Sequence, residues 1–385
     1  DKGMKKILVV AGDFVYPPNH GGRVDIWNRI LVLHEMGFWI HLVCTVKTNP
    51  DTSYISIVKE KVQHLDLVPR KNRILDMFCR RPLQMASRSA LKDVALEREY
   101  DFLLLEGTYV WDILSNPGLN AKKIMLRMHN NESVYFHALA ASENSFLRKL
   151  YYWIESQKFR KMDSGIIQKV SNILFISHAE KIDYEKRYSN LHSCFLPASV
   201  KLDFKHRERD NHTALLIASF FMKNNREAIT FYLEKVHPLI KIPDYQILIA
   251  GNSRGQSIAW IDHLAQKYKN VQIYDSPIDL QPLYEHASVF INSMLHGAGV
   301  KLKTINAVVE GLPVVSTTIG NEGTGLSPDR DILVADQALK LASAIESLLN
   351  NKKKADDIVS NAQSYIQEHY DQRKVLEEYF CEFKD

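Results

Sequence analysis

Cysteine is scarce in this 385-residue chain: Cys44, Cys79, Cys194 and Cys381 stand far apart, with no Cys-x-x-Cys pair. That excludes a zinc ribbon and a disulfide framework and suits a reducing compartment, the cytoplasm. Long apolar runs are missing too. The longest, such as Ile7–Ala11 and Leu215–Ala218, fall far short of the ~20 residues a membrane span needs. Glycine and proline are modest at 16 and 13, and no collagen period, heptad block, repeat or low-complexity segment occurs. Nor is there a signal-peptide shape. Met4-Lys5-Lys6 leads into a short Ile7–Val10 run and Gly12, so Asp1-Lys2-Gly3 reads as an addition before the natural start.

What is present is apolar enough for a sizeable core, with 45% hydrophobic and 24% charged residues. At ~100–200 residues per domain, the length predicts two domains. The net charge is only +4, but it is unevenly divided: residues 1–200 carry 28 basic and 21 acidic side chains, the remainder 21 and 24. Such asymmetry points to an anionic partner for the first half, with a plain solvated surface as the alternative.

Short aliphatic runs alternate with amphipathic stretches, which predicts an α/β protein of two doubly wound parallel sheets. Strands are expected at Ile7–Ala11, Trp39–Val46, Phe102–Leu105, Lys123–Arg127 and Ile173–Ile176. A charged connector, Lys201–His212, separates these from a second series at Ala214–Ala218, Gln246–Ala250, Val271–Tyr274, Val289–Ile291 and Val314–Ser316. The domains are placed at 4–200 and 201–365, with a terminal helix, 366–385, packing back on the first. In such sheets ligands bind beyond the carboxyl ends of the strands.

The most specific stretch runs from Ser293 to Ser316. A strand empties into Gly297-Ala298-Gly299-Val300, and a helix begins near Lys301. Glycine lets backbone N–H groups approach an anion, the helix N-terminus adds its positive dipole end, and Lys301 and Lys303 add point charges. This is a diphosphate cradle; an ordinary Gly turn between strand and helix is the plainer alternative.

The segment resembles the donor-site signature of the family 4 glycosyltransferases (glycosyl transferases group 1), Gly-x-Gly-Val-Lys-x-Lys-x-x-Glu-Ala-Met-x-x-Gly-x-Pro-Val-Val. Leu216-Ile-Ala-Ser-Phe-Phe-Met-Lys-Asn-Asn-Arg-Glu-Ala and Leu248-Ile-Ala-Gly are similar to that family's first two donor-domain strand ends. Pro277-Ile-Asp-Leu-Gln-Pro-Leu-Tyr-Glu-His-Ala is similar to its nucleobase-side element. In the first half, Pro17-Pro-Asn-His-Gly-Gly-Arg and Leu126-Arg-Met-His-Asn-Asn-Glu resemble its acceptor-side glycine loop and its His-Asn-x-Glu element. The resemblance runs over nearly the whole chain, in the correct order.

It implies a GT-B architecture, two Rossmann-like domains facing across a cleft, with C-terminal helices crossing back to the first. It implies hexosyl transfer from a nucleoside diphosphate sugar with retention, with no metal and no other cofactor. His129 falls where the family's active-site histidine meets the transferred sugar. Ser219, Lys223, Gly251, Gly297, Gly299, Val300, Lys301, Lys303 and Asn306 fall on donor-binding positions. Gly21, Gly22, Glu106, Asn130 and Glu132 fall on acceptor or cleft loops. One departure stands out. The family shows two glutamates about eight residues apart around the glycine loop; here the first falls near His296 and the second, which takes ribose hydroxyls, on Asn306. An amide oxygen still accepts one hydrogen bond but brings no charge. Glu310 lies one helical turn away, ~6 Å, too far to stand in directly.

A second stretch, Arg70–Lys92, sets Arg70, Lys71, Arg73, Arg80, Arg81, Arg88 and Lys92 against Asp76 alone, interleaved with Ile74, Leu75, Met77, Phe78, Leu83 and Met85. Basic and apolar residues so mixed suit an anionic membrane surface or a lipid-diphosphate acceptor. Nucleic acid is not expected, since no nucleic-acid-binding motif accompanies the charge. Tyr151, Tyr152, Trp153 and Phe159 are expected to be core.

The leading reading is a retaining transferase of bacterial surface polysaccharide or glycoconjugate assembly, peripheral at the inner face of the membrane, with a glycan or lipid-linked acceptor. A GT-B sugar-nucleotide epimerase, an inverting transferase and a non-catalytic sugar-nucleotide-binding scaffold are the alternatives. An NAD-dependent enzyme is disfavoured, because neither Gly12 nor Gly251 opens a Gly-x-Gly-x-x-Gly.

Overall fold

Buried parallel strands need both faces apolar, and the near-continuous Val/Ile/Leu runs of this chain meet that need. The computed structural model describes residues 3–383 apart from 20, 72, 97, 98 and 298 and the side chain of 142. Asp1 and Lys2, and His20 and Ala298 of the two glycine loops, therefore lie outside the described residues. The first unit contains β1 (Lys6–Ala11), β2 (Trp39–Val46), β3 (His64–Pro69), β4 (Glu99–Glu106), β5 (Asn120–Met128), β6 (Asn172–Phe175) and β7 (His192–Phe195). They form one parallel sheet in the order β3-β2-β1-β4-β5-β6-β7. The second unit contains β8 (Thr213–Ile217), β9 (Gln246–Gly251), β10 (Val271–Asp275), β11 (Val289–Asn292), β12 (Val314–Ser316) and β13 (Leu333–Val334), in the order β10-β9-β8-β11-β12-β13.

Each sheet is covered on both faces. Along β1 the period of two sends Ile7, Val9 and Ala11 to one apolar cluster and Leu8 and Val10 to another. In each unit the strand order reverses once, between β1 and β4 and between β8 and β11. Doubly wound sheets bind ligands at the carboxyl ends beside such reversals. At the first of them Ala11 pairs with Glu106.

The first unit comprises residues 1–199 and 372–385, the second 200–371. The border expected at 365 thus lies at 371. The reason is the helix Lys352–His369, which buries Ile358, Val359, Ala362 and Ile366 in the second unit, while the Tyr370 hydroxyl donates to Thr324 O at 2.7 Å. Beyond it the helix Gln372–Cys381 packs Leu376, Tyr379 and Phe380 into the first unit's core, with Phe380 against Phe38 and Phe102.

Strands β3, β7 and β13 escaped the sequence reading; β3 and β7 are partly polar edge strands and β13 has two residues. Trp153 is a correction of another kind: it is 49% exposed, whereas Phe159 is core and Tyr151 and Tyr152 are half-buried. Among the described residues no helix is long and apolar enough to cross a membrane.

Candidate active site

His129 leaves the end of β5 with its ring pinned between two acids. Its Nε2 donates to Glu106 Oε2 at 3.1 Å, and its Nδ1 stands 3.7 Å from Asp25 Oδ2. The side chain is 20% exposed, so a substrate hydroxyl can reach it. The acids themselves are buried and held by arginines. Arg29 donates to Glu106 from Nε at 2.6 Å and from Nη2 at 2.8 Å, and from Nη2 to Asp25 at 2.6 Å. Arg127 donates to Asp25 from Nε and Nη2, both at 3.2 Å, and Gln372 Nε2 adds a bond at 3.2 Å.

Burial would raise the Glu106 carboxyl, but the Arg29 guanidinium and the bond from His129 overcome it and hold it at about 2. For Asp25, burial is likewise outweighed by Arg127 and Arg29, and the group lies far below the usual carboxylate range. Two carboxylates and two guanidiniums therefore form a closed, charge-balanced frame around the imidazole, the one of these groups with solvent access. Glu106 was expected on a cleft loop. It is instead the last residue of β4 and 5% exposed, because Arg29 claims both of its oxygens.

The neighbouring positions are less uniform. Asn131 caps the helix Glu132–Ser142, and Asn130 sits half-buried beside it. Glu132 accepts from the Tyr109 hydroxyl at 2.7 Å. Burial raises its carboxyl to about 7; the Tyr109 bond opposes this and Glu180 adds to it. Gly21 and Gly22 do not form a loop but open the helix Gly21–Glu35, exposed. Their position leaves first-turn N–H groups without helical partners.

The basic stretch is broken up. Arg70 turns inward to Gly12 and Asp13, and Arg81 forms a two-pronged pair with Asp112, so neither belongs to a surface patch. Lys71 is half-buried; Arg73 and Arg80 are exposed.

In the second unit the glycine loop after β11 leads to Lys301, which caps the helix Leu302–Val309. Gly297 has φ 145°, and a Cβ there would stand 3.2 Å from Lys301 Nζ. Lys303 Nζ donates to Asn225 Oδ1 at 2.9 Å. Burial, and then the charge of Lys301, lower Lys303 to about 8; burial also lowers Lys301, with Glu322 opposing it. Two ammonium groups so desolvated gain strongly from a bound anion. Gly299, with φ 85°, and Val300 complete the approach to Lys301.

The other positions expected at the donor divide between scaffold and surface. Gly251 ends β9 where a Cβ would lie 1.8 Å from Ala218 O, so it allows the β8 and β9 exits to meet. Ser219 follows β8, half-buried, and Lys223 begins the helix Lys223–Phe231, exposed. Asn306 is exposed on the same helix as Lys303. Glu310 is fully engaged, with Arg207 Nη2 at 2.7 Å and Gln281 Nε2 at 2.7 Å. Opposite His296 stands Glu227, whose Oε2 is 4.0 Å from the ring.

A model of the glycosyl transferases group 1 matches residues 211–351, the part of the chain that carries this cradle. An uncharacterized 44.6 kDa protein in the cps region of Klebsiella pneumoniae is 36% identical over 395 residues, covering 98% of this chain and 100% of that protein. The chain belongs to the group 1 glycosyl transferases. Among solved structures, TarM aligns with a TM-score of 0.72 at 13% identity, over 100% of this chain and 99% of that one. HepE of Anabaena, in complex with UDP and glucose, aligns with 0.63 at 12% identity, over 97% and 98%. At such identities the likeness is one of fold, and that fold is GT-B.

Within this group 1 transferase, sequence reasoning missed Asp25, Arg29 and Glu322. Asp25 and Arg29 carried no signal in the sequence, because their partners Arg127 and Glu106 lie 102 and 77 residues away. Asp25, Glu106 and His129 bring three ligand atoms within 4.8 Å of one another, as do His41, His64 and Asp66. In the first group both carboxylates already accept guanidinium N–H bonds, a poor donor set for a dication.

Proposed function

We propose that the protein is a retaining hexosyltransferase that moves a sugar from a UDP-sugar to a glycan or lipid-linked acceptor in bacterial surface polysaccharide assembly. The observation that carries this reading is the pair of desolvated ammoniums, Lys301 and Lys303, beside Gly297. The name of the Klebsiella relative points to a polysaccharide region, cps, and UDP accompanies HepE and a variant of Staphylococcus aureus TarM in their solved complexes.

Lys301 and Lys303 neutralise charge that builds on the departing diphosphate. His129, oriented by Glu106, hydrogen-bonds the transferred sugar. The acceptor oxygen attacks the anomeric carbon on the face the diphosphate leaves. The C–O bond to phosphate breaks as the new glycosidic bond forms, and the acceptor proton passes to a diphosphate oxygen. The step uses neither a protein nucleophile nor a metal. Thermal shifts with UDP, GDP and dTDP, followed by NMR of donor hydrolysis without acceptor, test it. A selective UDP shift and slow release of a retained sugar are expected. No hydrolysis of any donor would instead favour a sugar-nucleotide-binding scaffold.

The membrane-facing part of the reading rests on exposed apolar side chains. Ile74 is 80% exposed, Phe78 84% and Phe146 76%, with Leu75, Leu147 and Trp153 also exposed. Leu147, Leu150, Ile154 and Lys158 follow one side of the helix Phe146–Lys169. Lys158 Nζ donates to Met77 O at 3.1 Å, which ties that side to the 74–78 segment. Arg73, Arg80, Arg148 and Lys149 are exposed around it, a charge pattern that fits an anionic bilayer. Co-sedimentation with phosphatidylglycerol vesicles, lost on Phe78→Ser with Phe146→Ser, is the expected result; equal pelleting of the double variant would sink it.

A further inference from the structure

The turn that follows β1 gathers more positive charge than it balances. Gly12 O accepts from Thr45 Oγ1 at 2.9 Å, from Arg88 Nε at 3.1 Å and Nη2 at 2.9 Å, and from Arg70 Nη2. Arg23 Nη2 stands 3.0 Å from Asp13 Oδ2, and Arg70 Nη2 3.5 Å from Asp13 Oδ1. Arg23 and Arg70 thus share one carboxylate, and among the described residues no acid pairs with Arg88, whose bonds go to Gly12, Thr45, Gln84 and Ser87. Arg88 is fully enclosed, and burial together with Arg70 lowers it to about 10. The Arg70 side chain is only 9% exposed, and its Nε has no hydrogen-bond partner. An orphaned charged donor of this kind costs free energy until an acceptor arrives.

A cavity of 410 Å³ opens at this cluster. Asp13, Lys47 and Arg70 line it, following β1, β2 and β3 respectively, so it lies beyond the carboxyl ends of those strands. Arg23, Tyr16, Tyr54 and Asp51 are also in the wall, with the two tyrosine rings 5.5 Å apart. The volume falls within the ~300–1,000 Å³ of small-molecule sites. Flat aromatic faces beside guanidiniums suit a ring that carries an anion.

We propose that this cavity is an acceptor subsite that selects a glycan bearing a carboxylate or a phosphate, the anion on Arg23 and Arg70 and the sugar ring against Tyr16 and Tyr54. It rests on the glycosyltransferase reading and adds the charge of the acceptor to it. The neutral acceptor face that a plain glycan would need is absent here: the cations Arg23, Arg70 and Lys47 outnumber the acids Asp13 and Asp51 at the wall, and Asp51 is turned to its own helix, accepting from Ser53 N at 2.8 Å.

Saturation-transfer NMR on the full chain tests it with methyl β-glucuronide, glucose 6-phosphate and methyl β-glucoside. At least one anionic probe should bind ~10-fold or more tighter than the neutral glycoside, the size of one charge-assisted hydrogen bond. Preference for glucuronide assigns a uronate, preference for glucose 6-phosphate a phosphate. Arg23→Gln, at a half-exposed position, should lose that ~10-fold preference, and Tyr54→Ala should weaken all three probes. Both variants should keep the wild-type thermal shift with UDP, which shows a folded protein. Equal binding of charged and neutral probes, no binding of any, or an Arg23→Gln variant with full preference would overturn the proposal. Loss of the UDP shift in the wild type, with glucuronide still bound, would remove the glycosyltransferase reading and leave the anion site standing.

Discussion

Arg29 grips Glu106 with two hydrogen bonds, 2.6 and 2.8 Å long, in a place that water does not reach. The pair joins the helix after β1 to the last residue of β4, across the point where the strand order reverses. Both side chains are closed off from solvent; together with Asp25 and Arg127 they frame the His129 ring. Glu106→Ala would leave Arg29 half-paired and buried. Breaking one partner of a buried pair costs about 3–5 kcal/mol. Chemical denaturation should show that loss in the first unit's transition, with UDP binding by the folded fraction retained.

His129→Ala is the contrasting change. The ring is partly exposed, and Glu106 keeps both bonds from Arg29 without it. The variant should melt close to wild type and bind UDP normally, while kcat/KM for transfer falls about 100-fold or more. Wild-type turnover would end the assignment of His129 to the sugar.

Two glycines of the second unit separate scaffold from cradle. At Gly251 a Cβ meets backbone, Ala218 O at 1.8 Å, which cannot move without shifting β8 or β9. Gly251→Ala should therefore lower stability by about 1–3 kcal/mol, read as a drop in Tm. At Gly297 the nearest atoms are Met294 Cε at 3.0 Å and Lys301 Nζ at 3.2 Å, the ends of flexible side chains. Gly297 also has φ 145°, where a side chain is strained, so Gly297→Ala should lower Tm too. Displacing the ammonium should in addition weaken UDP about tenfold in the folded protein.

How much of this was legible before the fold was known depends on distance along the chain. The cradle was legible because Gly297, Lys301 and Lys303 lie within one turn and the next, and β1, β2 and β4 because buried parallel strands are apolar throughout. The frame around His129 was not, since Arg29 and Glu106 are 77 residues apart and Asp25 and Arg127 are 102 apart. Arg70 shows a second limit. Its neighbours in sequence are basic, so it read as part of a surface patch, yet as the first residue past β3 it turns inward. Trp153 shows a third: an aromatic-rich helix has a period, but the period does not say which side meets solvent.

Protonation of Lys303 should appear in nucleotide binding. Burial and Lys301 bring its ammonium to about 8, so raising the pH from 7 to 9 removes much of its charge. UDP affinity should fall over that interval, by calorimetry. Lys303→Arg keeps its charge at any such pH and should flatten the profile, even where its different shape weakens binding at pH 7.

Glu132 gives a pH dependence of opposite origin, in stability rather than binding. Its carboxyl is raised by burial to about 7, against 4.5 in an exposed glutamate. Between those values the folded protein holds a proton that the unfolded chain has released. Folding is therefore favoured at the low end of the window and loses that contribution as pH rises through 7. Above 7 the folded state must carry a buried charge, with Glu180 adding repulsion and only the Tyr109 hydroxyl to satisfy it. Glu132→Gln keeps an acceptor for Tyr109 and has no charge to bury. At pH 8 the variant should be more stable than wild type by about 1–3 kcal/mol. The difference should shrink to near zero at pH 5, where the wild-type carboxyl is protonated in the folded state. Denaturation midpoints at pH 5, 6.5 and 8 measure it, and equal midpoints at all three would mean that the Glu132 carboxylate is solvated in the native protein.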